Sequence, residues 1–244
     1  MKLGLKIRTN HLERLDEYKE VFDFFEIFVE PEAELQQLEN LNKEITIHAA
    51  HHEFGFNSGD SKKYELNKKI LDQAIQAAEI VKAQWIIVHP GYIVDDDYEK
   101  TMISFFQENF DKRLLLENCP YLDYSENNER YLFSTPGEAK RLIDKIGLGL
   151  CLDFGHAVCA ANVLKRDSKK IIKEFFDLKP EYFHLTGIAM DAVTNDHEYH
   201  LDEVENDFEF LKRIGKSQPL VLEVPLNDRA KILKDAETAR LIAG

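Results

Sequence analysis

Six short apolar runs in this sequence end on, or run into, a residue that can hold a proton or a cation. Ile45-Thr46-Ile47 leads into His48, Ile86-Ile87-Val88 into His89, and Leu114-Leu115-Leu116 into Glu117. Leu150-Cys151-Leu152 leads into Asp153 and, three residues on, His156; Tyr182-Phe183 leads into His184, and Leu220-Val221-Leu222 into Glu223. Taken singly, each has an ordinary reading. An imidazole at a strand end is commonly a hydrogen-bonded core residue, Asp153 suits a helix N-cap, and His89-Pro90-Gly91 suits a turn. Glu117 and Glu223 resist that reading, because a carboxylate placed directly after an aliphatic run is costly to bury unpaired. Taken together, the set points to a divalent cation, which relieves carboxylate repulsion and accepts neutral imidazole as a ligand. The mixture of nitrogen and oxygen donors suits Zn²⁺, Mn²⁺ or Co²⁺ better than Ca²⁺.

The elements that must carry these residues are legible as apolar runs. They are Leu3–Ile7, Phe24–Val29, Ile45–Ala49, Trp85–Val88, Leu114–Leu116, Leu148–Leu152, Tyr182–Leu185 and Leu220–Val224. Most are continuous rather than alternating, as in strands of a parallel sheet covered on both faces. Helical patterns lie between them. One spans about Ser61 to Lys82, with Leu66, Ile70, Ala74, Ala78 and Val81 on its apolar face. Another opens on a capping box, Thr135-Pro136-Gly137-Glu138, and stops at Gly147; the last follows Asn227-Asp228. Strand–helix alternation repeated eight times in a 244-residue chain predicts a (β/α)₈ TIM barrel, a single domain over residues 1–244. Two long loops, His51–Asp60 and Cys119–Ser134, are placed to shape a site at its C-terminal mouth.

Composition excludes other classes. A net charge of −14 without a basic, aromatic-interleaved cluster disfavours a polyanionic partner. No apolar stretch is long enough to predict a membrane span. The Met1–Arg8 segment reads as a first strand rather than a secretion signal, and the three cysteines, Cys119, Cys151 and Cys159, lack a C-x-x-C pair. Both features predict a reducing, cytoplasmic setting. There is neither a phosphate-binding G-x-x-x-x-G-K-[ST] loop nor a G-x-S-x-G elbow.

The ordered set I-x-I-H, I-V-H-P-G, L-L-E-N, C-L-D-F-G-H-A, F-H-L and L-V-L-E-V-P resembles the xylose isomerase-like TIM-barrel superfamily, which includes endonuclease IV and sugar isomerases and epimerases. The resemblance runs over nearly the whole chain and implies a metal site. By position, Glu117, Asp153, His184 and Glu223 match the four-ligand centre shared across that superfamily. His48 and His89, with Glu117 as a bridge, match a second metal position of endonuclease IV, and His156 and Asp196 match part of a third. The last ligand of that third position is normally the His of a D-x-H triplet before a Leu. Here the order Asp196-His197-Glu198-Tyr199-His200-Leu201 puts Glu198 in its place and leaves His197 or His200 as substitutes. One to three divalent ions are therefore expected. The position of an aromatic residue that helps endonuclease IV distort duplex DNA is His51 here, and the short chain implies reduced DNA-contacting loops.

The resemblance leaves two chemistries. The first is a metal-dependent isomerase or epimerase of a sugar or sugar phosphate, with Glu117 and Glu223 shuttling a proton across an enediolate and Arg8, Glu30 and His51 contacting the substrate. The alternative is a multinuclear phosphoesterase of the endonuclease IV type, for which the retained His48, His89 and His156 speak; the acidic balance weighs against duplex DNA. A catalytically inactive barrel serving as a scaffold is a third class, against which the intact ligand set argues.

Overall fold

The apolar runs become eight parallel strands that close on themselves in sequence order. In the computed structural model, which describes residues 1–123, 129–194, 199–205 and 208–244, these are β1 (Lys2–Arg8), β2 (Phe24–Val29), β3 (Glu44–Ala49), β4 (Ile86–Val88), β5 (Leu114–Glu117), β6 (Gly149–Asp153), β7 (Tyr182–Leu185) and β8 (Pro219–Leu222). Outside them lie α1 (Leu15–Tyr18), α2 (Tyr64–Val81), α3 (Tyr98–Glu108), α4 (Pro136–Ile146), α5 (Phe154–Val163), α6 (Ser168–Phe176) and α7 (Arg229–Ala243). The (β/α)₈ expectation holds, with differences at the start and at the end, where the described residues of the β7–β8 link form only the 3₁₀ turns Leu201–Glu203 and Glu209–Arg213. The β1–β2 link carries only 3₁₀ turns and the four-residue α1, and the β2–β3 link only a 3₁₀ turn at Leu35–Leu38.

Alternation along each strand sorts the side chains into an outer set under the helices and an inner set inside the barrel. Phe24, Ile87, Leu115, Cys151, Tyr182 and Val221 form an interior apolar layer of their own. Tyr182 satisfies its hydroxyl across the barrel on Thr46 Oγ1 at 2.6 Å. Gly4 faces the same layer because a Cβ there would lie 2.5 Å from the Phe24 ring, so the aromatic side chain fills the space a β1 side chain would need. Two residues further along every strand come Lys6, Glu26, His48, His89, Glu117, Asp153, His184 and Glu223. The apolar layer is thus the floor of a polar ring.

The capping box of α4 forms as the sequence predicts. Thr135 Oγ1 accepts from Glu138 N at 3.3 Å, Glu138 Oε2 accepts from Thr135 N at 3.2 Å, and Gly147 ends the helix at φ +83°. Thr135→Ala is expected to lower stability by about 1 kcal/mol, read as a shift of the urea midpoint at unchanged m-value.

On α2 the buried face is turned from the predicted one. Leu66 is 40% exposed, while Asn67, Ile70, Leu71, Ala74, Ala77 and Ala78 are buried. The reason is polar. Asn67 accepts from Asn57 N at 2.8 Å and donates to Asn57 O at 2.7 Å, tying the long loop after β3 to the helix. Asn57 Oδ1 in turn accepts from Gly59 N and Tyr92 N, each at 3.1 Å. Gly91 is required at this junction, since its φ is +107° and a Cβ would lie 2.5 Å from Asn57 Oδ1.

Candidate metal centre at the barrel mouth

Glu117, at the end of β5, is the hub of the polar ring and is fully buried. Its Oε2 lies 3.2 Å from His48 Nε2 and 3.0 Å from His89 Nε2. Its Oε1 lies 3.3 Å from His156 Nδ1 and 3.2 Å from His184 Nδ1. The two oxygens of one carboxylate therefore face two different groups of imidazoles. His184 Nδ1 is also 2.9 Å from Glu223 Oε1. Donor atoms from Glu117, Asp153 and His156 come within 4.8 Å of one another, as do those from His48, His89 and Glu117, and those from Glu26, His48, His184 and Glu223.

Surrounding groups set the imidazole tautomers. His48 Nδ1 lies 2.8 Å from the Ala49 carbonyl and donates to it, so Nε2 faces Glu117 as an acceptor. His184 Nε2 donates to Glu26 Oε2 at 2.9 Å, which turns Nδ1 toward Glu117 and Glu223. His156 Nδ1 lies 2.8 Å from the Asn118 carbonyl. The carbonyl behind His48 and the carboxylate behind His184 make the arrangement that orients histidines toward a cation, whereas His156 meets Asn118 and Glu117 with the same nitrogen. Asp153 serves twice: Oδ1 caps α5 by accepting from His156 N at 2.5 Å, while Oδ2 is buried without a hydrogen-bond partner. The Asn118 amide fixes its backbone, donating to Asp153 O at 2.9 Å and accepting from Asp153 N at 2.7 Å.

The residues fit a divalent cation on this chemistry. Glu117 Oε1 and His184 Nδ1, 3.2 Å apart, are buried and make no aligned hydrogen bond, and Asp153 Oδ2 is buried without a partner as well. Orphaned donors and acceptors are rare in protein interiors, and here two of them meet at Glu117. Charges in the ring respond to one another. Burial lowers the His156 pKa, but Asp153 and Glu117 outweigh it and lift it to about 9. Burial raises the Asp153 carboxyl to about 6, with Glu117 and Glu223 adding to the effect against the opposing charge of His156. Burial pushes His89 down to about 3, although Glu117 pulls the other way. Ligation requires unprotonated imidazole and carboxylate. Zinc affinity is therefore expected to rise with pH between 6 and 9, with protons released on binding, which titration calorimetry in two buffers of different ionisation enthalpy will measure.

Lys6 and Glu26 also belong to the ring, although sequence reasoning passed over them. Lys6 Nζ lies 2.6 Å from Glu223 Oε1 and 3.6 Å from Glu26 Oε1. Burial disfavours its charge, but Glu223, Glu26 and Glu117 more than compensate and raise its pKa. The available signal was a charged residue inside each early apolar run, Leu5-Lys6-Ile7 and Phe25-Glu26-Ile27.

Above the ring opens a cavity of about 770 Å³ whose lining includes Lys6, Arg8, His51, His52, His89 and Glu223. Arg8 stands over the Phe28 ring at 4.9 Å and approaches Glu30 Oε1 at 3.5 Å. Glu30 is not among the lining residues. It accepts from Thr9 Oγ1 and Asn10 N, both at 3.3 Å, and so holds the turn after β1. His51 stacks near His89 with ring centroids 5.1 Å apart, and its pKa is held well below the usual range by burial and by neighbouring imidazoles. Asp196 and His197 lie outside the described residues, as does Glu198. His200, the other substitute for a third-site ligand, meets Asp235 Oδ2 of α7 with its Nδ1 at 2.5 Å, and its Nε2 is buried without a hydrogen-bond partner. All three cysteines are buried, and burial raises the Cys119 and Cys151 thiols, in keeping with a structural role. Among the described residues no helix is long and apolar enough to cross a membrane.

Comparison with known proteins agrees with this geometry. Over 112 residues the chain is 30% identical to a probable endonuclease 4 of Mycobacterium leprae, a match covering 44% of this chain and 43% of that one. Over 140 residues it is 25% identical to an uncharacterised protein of Methanocaldococcus jannaschii, covering 53% of each. The matches thus span about half the length of these curated relatives or less. A D-tagatose 3-epimerase-like protein superposes with a TM-score of 0.73 at 20% identity, over 99% of this chain and 98% of that one. Endonuclease IV from Thermus thermophilus superposes with a TM-score of 0.68 at 18% identity, over 99% and 97%. Those two likenesses are of fold. The sequence pattern of one family, however, matches residues 12–240, which takes in seven of the eight strands and the whole polar ring except Lys6. By that match the chain belongs to the xylose isomerase-like TIM barrel family.

Proposed function

We propose that this chain is a metal-dependent hydrolase of small phosphate esters, with two divalent ions held on either side of Glu117. One observation carries the reading: Glu117 divides its oxygens, Oε2 toward His48 and His89 and Oε1 toward His156 and His184. A carboxylate with nitrogen donors gathered at both oxygens is suited to bridge two cations. Residues His48, His89 and Glu117 would hold one ion; Glu117, Asp153, His184 and Glu223 would hold the other. Zn²⁺, Mn²⁺ and Co²⁺ suit this donor set. Such ions supply a water of lowered pKa and stabilise charge on phosphoryl oxygens.

The chain's own residues have separable tasks. Glu26 fixes the ring of His184 from behind. Lys6 offsets the negative charge of Glu26 and Glu223 and presents its ammonium to the cavity. Arg8, stacked on Phe28 at the cavity wall, offers a planar donor set for a phosphate oxygen. The net charge of −14 weighs against long duplex DNA as the substrate, while the cavity volume suits a small molecule.

A second reading, a sugar or sugar-phosphate isomerase or epimerase, is favoured by a different observation. Glu223 lines the cavity paired with Lys6, a carboxylate and an ammonium placed where a substrate carbon and its developing enediolate oxygen would need them. The likeness to a D-tagatose 3-epimerase-like protein supports that reading, and the likeness to a probable endonuclease 4 supports the first. Assay of zinc- and manganese-loaded protein against p-nitrophenyl phosphate, sugar phosphates, abasic-site oligonucleotides, aldoses and ketoses separates them. Release of phosphate or alcohol from a small ester is expected. Ketose–aldose interconversion or epimerisation without hydrolysis contradicts the hydrolase.

A further inference from the structure

A second group of ligand-type side chains stands at the cavity wall, outside the ring. His51, His52 and Glu53 are consecutive at the start of the loop after β3, and all three line the cavity. One donor atom from each lies within 4.8 Å of the other two. His51 Nδ1 and His52 Nδ1 are both buried and without a hydrogen-bond partner. Two unpaired imidazole nitrogens side by side, next to a carboxylate, are unfavourable unless something joins them.

A hydrogen-bond chain holds His52 from behind, through Nε2. Tyr92 OH lies 2.7 Å from Asp123 Oδ2 and 3.1 Å from Tyr131 OH, and Tyr131 OH lies 3.2 Å from His52 Nε2. A carboxylate only accepts, so the single Tyr92 hydroxyl proton goes to Asp123. Tyr131 holds His52 through this contact to Nε2, which leaves Nδ1 as the nitrogen open to a ligand. Asp123, Tyr92 and Tyr131 thus act behind His52 as a carboxylate commonly acts behind a metal-binding imidazole.

We infer that His51, His52 and Glu53 form a separate divalent transition-metal site at the mouth of the cavity, with His52 ligating through Nδ1. Two imidazoles and one carboxylate suit Zn²⁺, Co²⁺ or Ni²⁺ and leave positions open toward the cavity for a ligand oxygen. The His51 and His52 rings are stacked with centroids 4.7 Å apart. Arg8, whose Nη2 lies 3.7 Å from Glu53 Oε2, gives up that carboxylate to the ion. The site shares no ligand with the ring around Glu117 and does not depend on the reading proposed for that ring.

Equilibrium dialysis against Co²⁺, with visible absorption to follow ligation, tests the inference on the full chain. Wild type is expected to bind one equivalent more than His52→Gln and one more than Glu53→Gln. Glu53 is more than half exposed, so Glu53→Gln keeps the test alive should His52→Gln fail to fold. Tyr131→Phe is expected to keep the equivalent but bind it about tenfold more weakly, the usual scale for a group behind a ligand. Glu117→Gln, which strips the central ring, is expected to retain the His52-dependent equivalent. Unchanged stoichiometry and affinity in both His52→Gln and Glu53→Gln, or loss of the His52-dependent equivalent in Glu117→Gln, overturns the inference. If Glu117→Gln loses no ion while His52→Gln loses one, the mouth site stands and the dinuclear reading falls.

Discussion

Replacing Glu117 by Gln is expected to weaken central metal binding more than about 100-fold, beyond the roughly 10- to 100-fold cost typical of outer-shell changes, and to abolish turnover. The amide keeps the shape of the side chain but can no longer accept through both termini. One end would present N–H donors to imidazoles that are already oriented as acceptors, as His48 is by the Ala49 carbonyl and His184 by Glu26. The effect should exceed that of His48→Gln or His89→Gln, each of which removes one donor from one side. Metal content after dialysis and activity of the reloaded protein give the measurement. Glu117→Gln that retains both ions and full activity rules out a bridging role. Thermal unfolding guards against misreading, because removing a carboxylate that supports buried imidazolium charge also costs stability in the metal-free chain.

Lys6→Met has the second largest expected effect, and it falls on stability. Lys6 is the cation of the Glu26–Glu223 pair, and its side chain is only 17% exposed. Removing one member of a largely buried ionic group leaves the others uncompensated, which costs about 3 kcal/mol at the lower end of the usual range. The loss should be largest in chelator and smaller with zinc present, because a bound cation takes over the work of neutralising Glu223. Urea unfolding with and without zinc reads both values. An equal loss under the two conditions makes Lys6 a packing residue rather than a charge partner of the site.

Much of this architecture can be read from the sequence because one rule governs it. Inward-facing residues alternate along a strand, so a charged residue two positions beyond an interior apolar one marks the rim of the floor. Ile87 and His89, Leu115 and Glu117, Cys151 and Asp153, and Val221 and Glu223 all obey it. Lys6 and Glu26 obey it too, but they sit in the middle of their runs, where a charge reads as an interruption of a strand rather than its functional end. Tertiary pairing, invisible locally, makes them tolerable: Lys6 finds Glu223, which is 217 residues away in sequence.

Other differences have similar causes. The predicted face of α2 includes Leu66 and omits Asn67, because periodicity weighs apolar character, while the fold needs the Asn67 amide to close the backbone of Asn57. Glu30, read from the sequence as a substrate contact, secures the Thr9–Asn10 turn. His200 has the right type for a third-site ligand, and its partner Asp235 of α7, 35 residues on, orients it through Nδ1. His52 drew no attention as the third of three nearby histidines, and only the path through Tyr131 and Tyr92 to Asp123 marks it out. In each case local sequence gives the residue's chemistry, and a partner distant in sequence decides its use.

The central claim is that Glu117 bridges two cations. Anomalous diffraction at the zinc edge from zinc-loaded crystals tests it most directly. The expected result is two peaks, each within bonding distance of one Glu117 oxygen, one bounded by His48 and His89 and the other by Asp153, His184 and Glu223. A single peak that leaves His48 and His89 without a metal, or no peak bonded to Glu117, would contradict the account.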